Sequence, residues 1–159
     1  MANIIYPESK NKYRNKNALP KVINYINDEE KTPHNIKGAL GCNYHNSKST
    51  INDMRNVQKH FRNEKGKKII HFIISFSKEE QEHIQIDDFL TIGYQIAQYF
   101  PNEYQIFFAL HENTENYHIH FGMNPVSYET GKKYHWQKKD SYNLKCLLSA
   151  IMADMICES

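Results

Sequence analysis

The stretch YQIFFALHENTENYHIHFGMNP, Tyr104 to Pro125, holds two apolar runs, Tyr104 to His111 and Tyr117 to Pro125, separated by the polar residues ENTEN. Each run is rich in aromatic and branched side chains and too short for a typical helix. A connection this short joins antiparallel strands, so a β-hairpin is predicted. Alternate residues of a strand point to one side, which projects His118 and His120 from the same face. Closing the ENTEN loop returns the end of the first strand, His111, to the side of that pair. Three imidazoles then lie within reach of a shared ion. An ion held by three neutral rings keeps vacant positions, which can take phosphate oxygens and the charge that develops on them. In a chain with nine histidines an HxH pair by itself is a weak signal; His111 at hairpin distance sharpens it.

Outward from the hairpin, KKIIHFIISF, Lys67 to Phe76, reads as a further strand with His71, Ile73 and Ser75 on one face. His71 and Ser75 are candidate support for the site, or ordinary hydrogen-bonded sheet residues. Ala18 to Asp28 has the apolar stripe of a helix in Val22, Ile23 and Ile26, with Pro20 tolerated in its first turn. A second helix runs to Phe61 from a cap at Ser49 or Thr50, and Asp87 and Asp88 open a third that runs to about Tyr99. Past the Glu129 to Gly131 turn, Tyr134 to Gln137 reads as a brief strand and Tyr142 to Ile156 as a closing helix. Helices mixed with hairpin strands favour an α+β fold, a two-layer sandwich in which helices pack on a mainly antiparallel sheet.

The chain has 159 residues, 40% hydrophobic and 24% charged, which suits one domain with a real core. No apolar run approaches the length of a membrane span and no cleavable leader is visible, so a cytoplasmic protein is expected. The three cysteines, Cys42, Cys146 and Cys157, form no CxxC pair and read as reduced thiols. Net charge is only +2, but cations cluster at Lys10–Lys16, Lys59–Lys68 and Lys132–Lys139; each cluster is either a solvated loop or part of a nucleic-acid surface.

The run HENTENYHIHFGMNPVSYETGKKY, His111 to Tyr134, resembles the third motif of conjugative relaxases of the MobP type, members of the histidine-hydrophobe-histidine endonuclease superfamily. Its first histidine, the HxH pair, Asn124 and the Gly131-Lys132-Lys133 turn carry the likeness. KIIHFIISFSKEE is similar to the preceding motif of that family, LPKVINYINDEEKT to its first, and GCNYH, Gly41 to His45, to a weaker element. Asn113 stands where several relatives carry aspartate, leaving Glu112 and Glu115 as the nearby acids that can orient a ring.

The resemblance implies a strand-specific DNA endonuclease that nicks a transfer origin for conjugative mobilisation. It implies Tyr25 as the nucleophile, a 5′-phosphotyrosyl DNA adduct and metal ligation by His111, His118 and His120. The implied ion is magnesium or manganese in function, although imidazole also suits zinc or nickel. Implied partners are single-stranded DNA with its adjacent hairpin and accessory relaxosome proteins. A monomer is expected, as is a position at the N-terminal part of a longer protein. Lys132, Lys133, Tyr134, Trp136, Lys138 and Lys139 are the candidate DNA contacts, although Trp136 is as well suited to filling the core beneath the last helix. Three alternatives stay open: a rolling-circle replication initiator or transposase of the same superfamily using Tyr142, an origin-binding module that never cuts, and a zinc-stabilised structural domain.

Overall fold

The computed structural model describes residues 2–6 and 12–158, so Lys10 of the first basic segment lies outside the described residues. In chain order the elements are β1 (Asn3–Ile5), α1 (Ala18–Ile26), β2 (Lys37–Leu40), α2 (Ser47–His60), β3 (Ile70–Ser75), α3 (Lys78–Glu82), α4 (Asp88–Ala97), β4 (Ile106–His111), β5 (His118–Met123) and α5 (Lys138–Glu158). The strands form one open sheet in the order β1-β3-β5-β4-β2, with every neighbouring pair antiparallel. An α+β fold on an antiparallel sheet follows from the sequence, as expected.

Strand alternation divides the three central strands into two unlike faces. Ile70, Phe72, Ile74, Phe108, Leu110, Ile119 and Phe121 belong to a core that also takes in Phe89, Ile92 and Ile96 of α4 and Leu144 and Leu148 of α5. Phe72 and Phe121 lie stacked at its centre, centroids 4.6 Å apart and rings within 2° of parallel. Each such fully buried ring contributes roughly 1.5–3 kcal/mol of apolar transfer energy. On the opposite face, Phe107 and Ala109 pack with Leu19, Val22, Ile23 and Ile26 of α1 and Ile51 and Met54 of α2. Helices therefore cover both sides of the sheet, and the histidines share their side with α1.

A small residue lies under α1. A Cβ placed at Gly122 would lie 3.1 Å from the side-chain ends of Ile26 and Ile69 and 3.3 Å from that of Ile23, a tight fit for which those side chains would have to give by a few tenths of an ångström.

Differences from the sequence reading have local causes. Asn46, rather than Ser49 or Thr50, caps α2: its side chain accepts from the Ser49 N–H at 2.8 Å while Ser49 Oγ accepts from the Asn46 N–H at 3.3 Å. The same box, built from Ser77 and Glu80, starts the short α3. No strand forms at 134–137. Asp140 accepts from the Gln137 N–H at 2.8 Å and from the Tyr134 hydroxyl at 2.7 Å, which starts α5 at Lys138 and leaves only a Val126–Lys133 bridge in that region.

Candidate active site

The register of the sheet places the histidines. His111 stands directly opposite His118, Ala109 opposite His120, and Ile73 opposite His120 on the other flank, so His111, His118, His120, His71 and Ser75 all project from the α1 face. His111, His120 and His71 are buried, at 2%, 6% and 7% exposure, whereas His118 at the mouth is half-buried. Above them the last turn of α1 presents Tyr25, 46% exposed, with its ring centroid 5.4 Å from those of both His111 and His120 and 6.4 Å from that of His71. The Lys31 ammonium lies 5.5 Å from the Tyr25 ring centroid while pairing with Asp28 at 3.2 Å.

Hydrogen bonds fix which ring nitrogens remain open. His111 Nε2 donates to the Ile26 carbonyl at 2.8 Å; a carbonyl only accepts, so His111 Nδ1 carries the lone pair. His120 Nδ1 lies 3.0 Å from His71 Nε2, and His71 Nδ1 lies 3.2 Å from the Tyr13 hydroxyl. A neutral imidazole has one N–H, so this chain of bonds runs in a single sense. When His120 donates to His71 and His71 donates to Tyr13, His120 Nε2 is left as a bare lone pair, the form a cation requires.

The rings are held neutral. Burial pushes His120 down to about 2, helped by the neighbouring charges of His111, His71 and His118. Burial likewise takes His71 to about 4, with Lys12 and His111 adding repulsion. His111 is lowered chiefly by burial, against the bond to Ile26, which favours its protonated form.

In donor chemistry these residues fit a divalent ion of intermediate softness: all are imidazoles, and His111 Nδ1, His120 Nε2 and both nitrogens of His118 make no hydrogen bond with described residues. Among the described residues, however, no three His, Cys, Asp or Glu side chains are gathered round one point. The His111 and His120 rings stack with centroids 4.0 Å apart, and His118 stands 6.2 Å from His120.

Other residues singled out from the sequence lie elsewhere. Glu112 orients no imidazole of this cluster; its buried carboxylate pairs with His34 Nδ1 at 2.6 Å and accepts the His34 N–H at 3.2 Å. Glu115, 80% exposed, pairs with Lys78 at 3.0 Å instead. Asn124, fully buried, spends its amide within the fold: it donates to the Met54 carbonyl and Gln105 Oε1 and accepts from Gln58 and the Val126 N–H. Tyr134 and Trp136 pack against the core of the opposite face, Trp136 stacking on Tyr6 at 4.5 Å.

Lys133 Nζ donates to the Lys65 and Lys67 carbonyls, while Lys132, Lys138 and Lys139 are exposed. Tyr142, 69% exposed, rides on α5, which packs on the face opposite the histidines. Tyr13 was not read from the sequence as a site residue. Its left-handed backbone, φ 68°, is a costly conformation for an aromatic residue and leaves no mark in the letters.

A five-stranded antiparallel sheet with buried neutral histidines beneath a helix-borne tyrosine defines a mixed α/β protein with one polar face built for chemistry. The chain matches the relaxase family, MobA/VirD2-like, nuclease domain, over residues 25–155, and belongs to that family. It is a DNA-nicking nuclease domain of the relaxase type, in a family that generally depends on divalent metal. A solved chain described under the molecular basis of vancomycin resistance transfer in Staphylococcus aureus shares the fold, with TM-score 0.54 and 12% identity over 77% of this chain and 69% of that one. No curated protein matches in sequence. Among the described residues no helix is long and apolar enough to cross a membrane.

Proposed function

We propose that this domain nicks one DNA strand at a transfer origin by transesterification, with Tyr25 as the nucleophile and His111, His118 and His120 as the metal-holding residues. The observation that carries this reading is the Tyr25 ring, half exposed and 5.4 Å from two buried neutral imidazoles. Tyr25 Oη attacks phosphorus, the P–O3′ bond breaks, and a 5′-phosphotyrosyl bond and a free 3′-hydroxyl result. The phenolic proton passes to solvent, which reaches this exposed side chain, and the departing 3′-oxygen takes a proton from solvent in turn. One phosphate ester replaces another, so the step is close to balanced and the strand can be rejoined.

A phenol is a weak nucleophile at neutral pH, and the Lys31 ammonium, 5.5 Å from the Tyr25 ring centroid, places a cation beside the site. Bound at the imidazoles, a divalent ion such as magnesium or manganese would draw charge from the non-bridging phosphate oxygens. His71 and Tyr13 orient His120, and Ser75 stands opposite His118. Beyond the centre, Lys65, Lys67, Lys133 and Trp136 line a groove of about 350 Å³ that suits an outlying stretch of single strand, with the exposed Lys132, Lys138 and Lys139 attracting the phosphates around it. The origin hairpin and accessory mobilisation proteins are the partners this reading implies.

The test is a denaturing gel for a covalent protein–oligonucleotide adduct formed with manganese on a strand bearing the origin. Tyr25→Phe should abolish the adduct and Tyr142→Phe should preserve it. An adduct that survives in Tyr25→Phe and vanishes in Tyr142→Phe moves the nucleophile to α5 and the chain to the replication-initiator scheme.

A further inference from the structure

Beside Tyr25, on the side away from His118, a pocket of about 480 Å³ opens between the segment 12–17, the first turns of α1 and His71. Its volume falls within the roughly 300–1,000 Å³ typical of small-ligand sites. Ala18 and Val22 give it an apolar floor and the Tyr13 ring an aromatic wall. Lys12 and Lys21 also line it, the Lys12 ammonium 5.5 Å from the Tyr13 ring centroid, and no carboxylate is among the described residues that line it.

Two amides face no competing partner among the described residues. Asn17 precedes α1 in the position where asparagine ordinarily caps a helix, yet its side chain makes no capping bond and no hydrogen bond with any described residue. Among the described residues Asn15 uses only its Oδ1, accepting the Asn17 N–H at 2.9 Å, and its Nδ2 meets no acceptor there. The wall is rigid where it meets the imidazoles. Tyr13 is held in its left-handed conformation by its carbonyl, which accepts the Lys68 N–H at 2.7 Å, and by its hydroxyl on His71 at 3.2 Å.

We infer that this pocket takes the base and phosphate of the single-stranded DNA nucleotide next to the scissile phosphate, and that Asn15 and Asn17 select which base is accepted. The inference rests on the DNA-cleaving function proposed above. The chemistry is that of a nucleotide: an aromatic wall and apolar floor for the base plane, amides that both donate and accept for its edge, and paired cations for the flanking phosphate. Charge narrows the alternatives of similar size, because a pocket with two lysines and no acid among the described residues that line it repels a cationic ligand and gains from an anionic one. Its contact with Tyr25 and His71 means that a base seated here sets the register of the strand over the nucleophile.

The test uses the Tyr25→Phe protein, so that binding is read without cleavage, and fluorescence anisotropy with labelled twelve-residue oligodeoxynucleotides of dA, dC or dT. The parent should discriminate among them, and Asn17→Ala or Asn15→Ala should shrink that preference by about tenfold, the discrimination carried by a good side-chain–base pair. Lys21→Ala should instead weaken all three alike and lower the salt dependence by about one charge. Lys145→Ala, exposed on α5, should change neither. Circular dichroism establishes that each variant is folded. Strong binding that is indifferent to both the amides and Lys21 overturns the pocket while leaving the nuclease reading intact. Absence of binding to every oligonucleotide overturns both.

Discussion

His111, the last residue of β4, donates its Nε2–H across 2.8 Å to the carbonyl of Ile26, the residue that follows Tyr25 on α1. The bond joins positions 85 residues apart and ties the helix carrying the proposed nucleophile to one of its proposed metal ligands. It also leaves Nδ1 as the nitrogen available for an ion.

His111→Gln separates these two roles. A glutamine amide still offers an N–H towards Ile26, so stability in chelator should stay within about 1 kcal/mol of the parent, while His111→Ala should cost on the order of 1–3 kcal/mol because a buried carbonyl loses its partner. Both variants should lose manganese affinity by calorimetry. Unchanged affinity in His111→Gln would remove His111 from the ligand set.

Gly122→Ala tests the height of α1 over the sheet. The added methyl meets the side-chain ends of Ile26 and Ile69 at 3.1 Å, so these must give by a few tenths of an ångström, at a cost of up to about 1–3 kcal/mol. Any displacement passed through Ile26 to α1 moves Tyr25. Single-turnover cleavage should slow by more than oligonucleotide binding weakens; loss of binding alone would mean that the spacing does not serve the nucleophile.

Acid should destabilise the metal-free domain before its carboxylates titrate. His71 and His120 have folded values well below the ordinary 6.5, so under pH 6.5 the unfolded chain binds more protons and stability falls as pH falls. Between pH 6.5 and pH 5 His71 alone contributes a loss of about 2 kcal/mol, from ~1.4 kcal/mol per unit. Urea unfolding at the two pH values, repeated on His71→Asn, measures this; an equal slope in the variant would assign the loss to other groups.

Asn124→Ala strands the groups that Asn124 joins, among them Gln58, Gln105 and the Met54 carbonyl. A loss of about 2–4 kcal/mol is expected on urea unfolding. Adduct formation per folded molecule should hold. A selective loss of chemistry in a protein of parental stability would return Asn124 to the active site.

Periodicity is a property of the chain itself, and what depended on it was legible in the letters. The β4–β5 hairpin, β3 and the apolar stripe of α1 follow from it, and with them the placement of His118 and His120 on one face and of His111 beside His118. Edge strands β1 and β2 are three and four residues long and owe their form to the neighbours they pair with, so NII and KGAL carry no pattern of their own. Only the tertiary structure decided which partner each polar group meets. Glu112 goes to His34, 78 residues away, instead of to its neighbour His111, and Asn124 turns inward to α2. Tyr13 reaches His71 across 58 residues through a backbone conformation that sequence does not encode locally. Spacing can say which side chains share a face, because strand geometry is regular; hydrogen bonds close over a few ångströms between distant segments, and those distances exist only once the helices have packed.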